Sequence, residues 1–324
     1  MTKITRRQFA LTVALLLTSL NSSFAADTYP SKPIRFITPN SAGSGADAMT
    51  RRLAERMSKA LKQPVFVENI PGAGGLLGSE NLVRSQADGY TISLISSNYV
   101  VFPHLYKKLS FDALKDITPI AGVAKTPMVL VARADLPASN VSELKALALK
   151  NPEKLTLGSS GNGTILHLAG TYLQQEGHFK LTHVPYKGAG PVIPDLVGGM
   201  IDVAFFSYVS VEGLVKQGKL KILGVASTQR VPSLPSVPAI AETFPGFSLE
   251  AWYAVIGPRG MPPAVVRKLN DTINTILLSD TFKSQIASEG AVVSPMEPEA
   301  LRSFLTTDYA KHGALVARSG ATIQ

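Results

Sequence analysis

The amino-acid sequence predicts an α/β fold with mainly parallel sheets. Short apolar runs typical of β-strands alternate with stretches of helical periodicity along most of the chain. Several of these runs end in loops rich in glycine or small hydroxyl residues. The chain has 324 residues, of which 45% are hydrophobic and 17% charged, a composition typical of globular proteins of about two domains.

Nine apolar runs are interpreted as strands. They are Pro33–Thr38, Val65–Glu68, Tyr90–Ile95, Met128–Ala132, Leu155–Leu157, Leu181–Val184, Asp202–Phe206, Ile222–Ala226 and Ala251–Ile256. Two intervening stretches, Asp47–Lys62 and Thr164–Glu176, repeat apolar residues every three or four positions and are interpreted as helices. Pro119 and Pro127 flank a segment where one lobe gives way to the next, and the proline-rich stretch Val231–Gly246 is interpreted as the return crossing.

The first 25 residues have the pattern of a bacterial export signal. Lys3, Arg6 and Arg7 form a basic region, an apolar run covers residues 10–20, and residues 23–25 provide a small-x-small cleavage site. Arg6 and Arg7 leave two export routes open, the general secretory route and the twin-arginine route. We therefore expect residues 1–25 to be removed and the mature protein to be periplasmic.

Charge and cysteine content favour some functions and argue against others. The signal holds three of the 32 basic residues and none of the 23 acidic ones, so the mature chain keeps 29 basic and 23 acidic residues, a net charge of +6. No basic block in it is longer than two residues, which argues against nucleic-acid binding and favours capture of small anions. Without cysteine the chain has no disulfide and no thiolate metal site, and we expect no metal and no cofactor.

Four strand-to-helix loops are candidate anion sites. They cover residues 39–47, 68–78, 158–164 and 184–191 and are rich in glycine or small hydroxyl residues. Glycine lets backbone N–H groups approach a ligand closely, and a helix N-terminus adds about half a positive charge. In doubly wound sheets, ligands bind at the carboxyl ends of strands, where such loops lie. The sequence therefore predicts a small-anion site formed by these loops.

Two of the glycine-rich loops resemble nucleotide-binding motifs but do not match them. The loop at 158–164 lacks the lysine that a P-loop needs after Gly163, so nothing would reach the β- and γ-phosphates. Gly72, Gly74 and Gly78 have one residue too many for a dinucleotide fingerprint.

Catalytic motifs are also missing: the sequence contains no H-E-x-x-H and no G-x-S-x-G, and we expect a binding protein with no catalytic residues. The alternative is an exported α/β enzyme that uses His167 and Asp202. His167 itself is either a polar residue on a helix face or a donor that lines a cleft.

Two charged residues of the loops each have two interpretations. Lys187 is either a solvated loop lysine or a cation near an anionic ligand. Asp47 is interpreted as a helix N-cap that also shapes the first loop.

Long motifs in these loops resemble those of a known family. "VENIPGAGGLLG", "GSSGNGTILHLAG", "HVPYKGAGPVIPDLVGGMIDVAF" and "LPSVPAIAETFPGF" occur in the order found in the Bug/TctC periplasmic receptors of tripartite tricarboxylate transporters, over essentially the whole mature chain. The resemblance implies a two-lobed Venus-flytrap fold of the periplasmic-binding-protein type, with two crossing segments. One lobe would comprise residues 26–125 plus 250–324, and the other residues 126–249.

The same resemblance implies a function. A small carboxylate would be enclosed between the lobes of a monomer and passed to two membrane subunits of the transporter. A sensory receptor of the same fold is the alternative. From the loops and this resemblance together, the predicted ligand-binding residues are Asn40, Ser41, Ala42, Gly43, Ser44, Asp47, Gly74, Gly75, Ser97, Ser159, Gly161, Asn162, Gly163, Thr164, His167, Lys187, Gly188, Phe206 and Ser207.

Two departures from the family pattern bear on the ligand. Ala42 and Ser44 replace a proline and a glycine that are usual in the first loop, which predicts a less rigid loop and one more hydroxyl donor. Phe206 stands where many relatives carry Asp, which predicts a ligand with an apolar or aromatic body, such as a dicarboxylate, rather than an amino acid. Because side chains alternate along a strand, Phe205 or Ser207 is the alternative cleft-facing residue.

Overall fold

The computed structural model describes residues 29–106, 108–287 and 290–319. The predicted export signal, residues 1–25, lies outside the described residues. Two β-sheets, each covered on both faces by helices or irregular segments, form the two lobes of an α/β fold.

The first sheet has six strands in the order β11-β4-β10-β3-β1-β2, and the second has five in the order β7-β6-β8-β5-β9. The strands are β1 (Ile34–Thr38), β2 (Val65–Asn69), β3 (Thr91–Ser96), β4 (Ile117–Thr126), β5 (Met128–Arg133), β6 (Thr156–Ser159), β7 (Thr182–Pro185), β8 (Val203–Ser207), β9 (Leu220–Val225), β10 (Ala251–Pro258) and β11 (Val292–Met296). All nine predicted strands are present, with ends shifted by at most two residues.

The prediction of mainly parallel sheets is wrong. Four strand pairs are parallel (β1–β2, β1–β3, β6–β7 and β6–β8), and five are antiparallel. The antiparallel pairs all involve β10, β4 or β5, the strands next to the points where the chain changes lobes. β4 and β11 were not predicted. They contain Pro119 and Pro295, and both strands pair beside register shifts, where proline is tolerated.

Nine helices of six or more residues belong to the described chain. They are α1 (Gly45–Leu61), α2 (Leu76–Val83), α3 (Val141–Lys150), α4 (Ile165–Gly177), α5 (Val192–Val197), α6 (Tyr208–Lys216), α7 (Pro263–Leu278), α8 (Asp280–Ala287) and α9 (Pro298–Ser319). Short 3₁₀ turns at Ala73–Gly75, Ser97–Val100, Phe102–His104 and Ile240–Glu242 complete the elements.

Helix α1 shows why the sequence folds as it does. Met49, Leu53 and Met57 recur every four residues, so they share one face, and all three are buried against the first sheet. Ser44 adopts an extended conformation before the helix, and its Oγ accepts a hydrogen bond from the Asp47 amide. Ser44 is therefore the N-cap, and the interpretation of Asp47 as the N-cap is wrong.

The chain changes lobes at two adjacent points. It leaves the first sheet at the end of β4, turns at Pro127 and enters the second sheet at β5; it returns between Leu249 and β10. The end of β4 and the start of β10 pair antiparallel, with Ala251 opposite Thr126, and the Lys125 ammonium lies 3.0 Å from the Glu250 carboxylate.

The interpretation of Val231–Gly246 as the return crossing is wrong: Ala239 pairs with Val225, and Ile240 and Phe244 lie in the core of the second lobe.

Helix α9 also contacts both lobes. Leu301 and Leu305 pack in the core of the first lobe, whereas Val316 packs in the core of the second. Between these contacts, the Asp308 carboxylate accepts a 2.7 Å hydrogen bond from Nε1 of Trp252, at the start of β10. The helix is thus joined to the returning crossing strand. Within the described chain, no helix combines the length and the apolar character needed to cross a bilayer.

We expect the Trp252→Phe substitution to lower the free energy of unfolding by about 1–3 kcal/mol, because it leaves the nearly buried Asp308 carboxylate without its indole donor. Urea unfolding of wild type, Trp252→Phe, Asp308→Ala and the double variant would measure the coupling between the two residues. A coupling energy of zero would contradict a structural role for this bond.

Candidate functional site

A cavity of about 200 Å³ lies between the lobes, where the segments that follow β2, β3 and β6 converge. The first lobe contributes one wall and the loop between β6 and α4 contributes the other. The lining residues are Ala73, Gly74, Asn98, Phe102, Leu105, Tyr106, Ser160, Gly161, Asn162, Gly163 and Thr164. Of the predicted site residues, Gly74, Gly161, Asn162, Gly163 and Thr164 line this cavity.

The second-lobe wall, residues 160–164, is a loop held in place by its own neighbours. Gly161 and Gly163 have φ of +125° and +73°, which glycine adopts at little cost. The Gly161 amide donates to Oγ of buried Ser159, and the Thr164 hydroxyl donates to the Gly161 carbonyl at 2.8 Å. Thr164 is also the N-cap of α4, accepting from the His167 amide. The loop therefore ends at a capped helix N-terminus.

The second-lobe wall offers backbone donors to the cavity. Among the described residues, the amides of Ser160 and Asn162 donate to no protein acceptor, and both residues line the cavity. Gly188, a predicted site residue in the loop after β7, supports the wall from behind, because its amide donates to the Ser160 carbonyl at 3.1 Å. A wall of N–H groups at a helix N-terminus favours an anion.

A pair of histidines fixes the shape of the second-lobe wall. Nδ1 of His167 accepts a 3.1 Å hydrogen bond from the Gly163 amide, and its ring stacks on His183 at 4.1 Å between centroids. Nε2 of His183 lies 2.6 Å from Oγ of Ser159. Burial, reinforced by the neighbouring His183, lowers the pKa of His167 to about 4, and burial also lowers the pKa of His183. His167 is thus a neutral acceptor that holds the loop, a role that neither sequence interpretation anticipated.

The first-lobe wall is mostly apolar and includes one amide side chain. Phe102 and Leu105 are buried, and the half-buried Tyr106 packs against the cores of both lobes. Asn98 lies in the turn after β3, and its Oδ1 accepts a 3.0 Å hydrogen bond from the Ile165 amide, the first residue of α4. This bond crosses the cleft and joins the two lobes.

Four residues of this wall were not predicted from the sequence. Asn98, Phe102, Leu105 and Tyr106 belong to no glycine motif, and the neighbouring Ser97, which was predicted, is 2% exposed. One signal pointed to them: the segment follows β3, and the carboxyl ends of parallel strands mark the ligand edge of a sheet.

The first glycine loop, residues 40–47, lies beside the cavity without lining it. Asp47 is buried and accepts hydrogen bonds from the Gly43 amide and the Asn69 side chain, both at 2.9 Å, and from Arg51. Burial alone would raise the pKa of Asp47, but the hydrogen bonds from Arg51, Gly43 and Asn69 outweigh it and hold the pKa below its ordinary value. Asp47 is therefore ionised, and its carboxylate stabilises its own loop.

This first loop meets the strand end of β8 across the cleft. A Cβ atom built on Gly45 would lie 3.0 Å from Oη of Tyr253 and 3.8 Å from Oγ of Ser207. Ser207 is thus the residue of β8 that lies toward the opposite lobe. The other predicted residues of the first loop, Asn40 to Ser44, are half-buried or exposed, and Ala42 and Ser41 are among the exposed ones.

The expectation that Phe206 faces the cleft is wrong. Its ring is 1% exposed and packs with the residues of α5 and α6, while Phe205 is buried on the opposite face beneath α3 and α4. Strand alternation places the two rings in two different cores, so neither reaches the cleft.

Two other predicted residues also lie outside the cavity lining. Lys187 is exposed and does not line the cavity. Gly75 is buried beside Pro39, behind Gly74.

The pair proposed for an enzyme does not form. Asp202 binds Arg133 at 2.9 Å and the Thr156 amide at 2.8 Å, at the start of β6 and β8, whereas His167 follows the far end of β6. The two residues therefore lie at opposite ends of the second sheet. Within the described chain, no three His, Cys, Asp or Glu side chains are grouped to hold a metal ion.

A larger depression, of about 520 Å³, lies elsewhere on the second lobe. Side chains of α3, the end of α4 and residues 243–245 line it. The C-terminal end of α4 lies away from the glycine loops, and this depression is lined by no residue of those loops and by no residue of the first lobe. The cavity between the lobes is therefore the better candidate.

Two α/β lobes joined by adjacent crossings, with a cavity at the meeting point of their loops, define the class of solute-binding receptors of the periplasmic-binding-protein type. Comparison with known proteins agrees. The chain belongs to the tripartite tricarboxylate transporter family receptors (TctC), whose family model matches residues 49–321.

Three solved structures illustrate the similarity. The periplasmic binding protein BugD is 33% identical, with a TM-score of 0.85 over 91% of this chain and 100% of that one. Rpa4515 of R. palustris with adipate is 27% identical, with a TM-score of 0.87 over 91% and 99%. MatC from Rhodopseudomonas palustris with bound malate is 27% identical, with a TM-score of 0.81 over 89% and 100%.

We expect His167 to make the stability of the protein fall in mild acid. Its pKa is about 4 in the folded protein, below the ordinary 6.5, so the neutral ring contributes stability that is present above pH 6.5 and is lost as the pH falls toward 4. His167→Gln should therefore flatten the dependence of unfolding free energy on pH in this window, by at most about 1.4 kcal/mol per pH unit. Urea unfolding from pH 7 to pH 4.5 would measure it. His178→Asn, at an exposed left-handed cap, is the matched control; equal slopes for the two variants would contradict the assignment.

We expect Asn98→Ala to open the cleft. The substitution removes the acceptor for the Ile165 amide, and one hydrogen bond is worth about 0.5–1.5 kcal/mol, so the ratio of closed to open molecules should fall up to about tenfold. Small-angle scattering of the unliganded protein should show a larger radius of gyration. Asn98→Asp, which keeps the acceptor, should stay as compact as wild type. A radius unchanged by Asn98→Ala would show that the bond does not hold the lobes together.

Proposed function

We propose that the protein captures a small carboxylate in the periplasm and delivers it to the membrane subunits of a tripartite tricarboxylate transporter. The observation that carries this proposal is the cavity between the lobes, whose second-lobe wall presents backbone amides at the N-terminus of α4. The adipate and malate in the two neighbouring structures support a carboxylate as the ligand class. The pattern of an export signal in residues 1–25 supports the periplasmic location.

Reversible binding is supported over turnover by what the polar groups near the cavity do. His167 accepts from Gly163, His183 contacts Ser159, and Thr164 caps α4, so each of these groups has a structural partner. In the described chain, the side chains that line the cavity are amides, hydroxyls and apolar groups. This set supplies hydrogen bonds and surface contact, which is what a receptor requires.

We assign residues 26–125 and 250–324 to one lobe and 126–249 to the other. The crossings at Pro127 and Glu250 support these limits. Helix α9 is the exception, because its end packs on the core of the second lobe. The carboxylate contacts are assigned to residues 160–164, with Gly74 and the segment after β3 completing the site on the opposite side.

A thermal-shift screen of small carboxylates tests the proposed function. A ligand at a hundredfold excess over its Kd stabilises the folded protein by about 2.7 kcal/mol, which raises the melting temperature by several degrees. At least one small carboxylate should give such a shift, and chloride and sulfate at equal ionic strength should not. A broad screen in which no carboxylate shifts the melting temperature would contradict the proposal.

We expect Gly161→Ala to weaken carboxylate binding at least about tenfold. Gly161 has φ of +125°, which costs about 1–3 kcal/mol for alanine, and the added Cβ would lie 3.1 Å from the Tyr186 carbonyl, so residues 160–164 must shift. Gly190→Ala is the control, because a Cβ there meets no atom within 4 Å and the backbone is not left-handed. Calorimetric titration of both variants, with melting curves to confirm folding, would test this; equal affinities would place the carboxylate elsewhere.

A further inference from the structure

The two walls of the cavity differ in chemistry. The second-lobe wall consists of residues 160–164, which are glycine or short polar residues with backbone N–H groups. The first-lobe wall carries the side chains of Phe102, Leu105 and Tyr106, together with Ala73, Gly74 and the Asn98 amide. A ligand that fills the cavity touches both walls, so each of its ends meets a different environment.

The apolar part of the first-lobe wall is fixed rather than adaptable. Phe102 is 3% exposed and packs edge-to-face on Tyr99 and Phe111, at 5.4 and 6.2 Å between ring centroids. Leu105 is 5% exposed and belongs to the core of the second lobe, and Tyr106 packs on both cores. Burial raises the pKa of the Tyr106 phenol, so this side chain is neutral at physiological pH.

The carbonyl oxygen of the one amide side chain in that wall already has a partner. Oδ1 of Asn98 accepts from the Ile165 amide, so its carbonyl oxygen is directed at α4. Among the residues that the structure describes, the lining of the cavity includes no carboxylate that would pair with an ammonium and no cation that would pair with a second carboxylate. Asp47, in the first glycine loop beside the cavity, is already paired with Arg51.

We infer that the ligand carries its carboxylate at one end, on residues 160–164, and meets Phe102, Leu105 and Tyr106 with an uncharged, apolar end. This inference rests on the proposed function and narrows its ligand to monocarboxylates with an aliphatic or aromatic body. An ammonium or a second carboxylate at the apolar wall loses its hydration without gaining a charged partner, which disfavours it strongly. An apolar end gains surface burial and, if aromatic, ring contact with Phe102 or Tyr106.

Two matched series of ligands test the inference. Hexanoate, adipate and 6-aminohexanoate share a six-carbon chain and one carboxylate, and differ at the far end; butanoate, succinate and 4-aminobutanoate do the same at four carbons. By calorimetry we expect the monocarboxylate of the better-fitting series to bind at least about tenfold more tightly than the dicarboxylate, and at least about a hundredfold more tightly than the amino acid. Equal or tighter binding of adipate, succinate or either amino acid would overturn the inference while leaving the proposed function intact. Absence of binding in both series would overturn the inference, and the broad carboxylate screen would then decide the proposed function separately.

A second experiment uses a variant that supplies the missing charge at the apolar wall. Tyr106→Arg places a cation on the half-buried part of the apolar wall, and charge-assisted hydrogen bonds are strong enough for about a tenfold change. We expect the ratio of adipate to hexanoate affinity, or of succinate to butanoate, to rise at least about tenfold in Tyr106→Arg and to stay at the wild-type value in Tyr106→Phe. A ratio unchanged by Tyr106→Arg, in a variant whose melting curve shows a folded protein, would mean that the far end of the ligand does not lie at Tyr106.

Discussion

The hydrogen bond between Asn98 and the Ile165 amide sets the geometry on which the site depends. It joins the turn after β3 in the first lobe to the first residue of α4 in the second, so it fixes how the cavity walls face each other. Its energy is small, about 0.5–1.5 kcal/mol, so a ligand of modest affinity is enough to shift an equilibrium between open and closed lobes. The paired crossing strands β4 and β10 join the lobes at one edge, and α9 contacts both lobes beside that edge.

The second-lobe wall needs more than glycine to bind an anion. Backbone amides are useful donors only when the loop is held still, because every residue that orders on binding costs free energy. Ser159, His167 and Gly188 hold residues 160–164 from behind, through the Gly161 and Gly163 amides and the Ser160 carbonyl. Since His167 must be neutral to accept from Gly163, the loop depends on an uncharged histidine pair as well as on its glycines.

Sequence reasoning identified the α/β class, all nine of the strands it named and the second-lobe wall, because apolar runs, glycine loops and long motifs are local signals. It failed where the outcome depends on packing. Phe206 was expected in the cleft. Side chains alternate along β8 and helices cover both faces of the sheet, so Phe206 is buried. Asn98, Phe102, Leu105 and Tyr106 were missed, because no motif shows that the turn after β3 reaches the other lobe. β4 and β11 were missed because a proline in a strand is tolerated only beside the irregular pairing that the folded sheet supplies.

The central claim is that one carboxylate lies on the backbone amides of residues 160–164, with the body of the ligand against the first-lobe wall. A crystal structure of the protein with its tightest-binding carboxylate tests this most directly. The account predicts carboxylate oxygens about 2.7–3.2 Å from amide nitrogens of that loop, and ligand carbon atoms in contact with Phe102, Leu105 or Tyr106. A carboxylate bound outside this cavity, for example in the surface depression lined by Lys145 and Phe244, would contradict it.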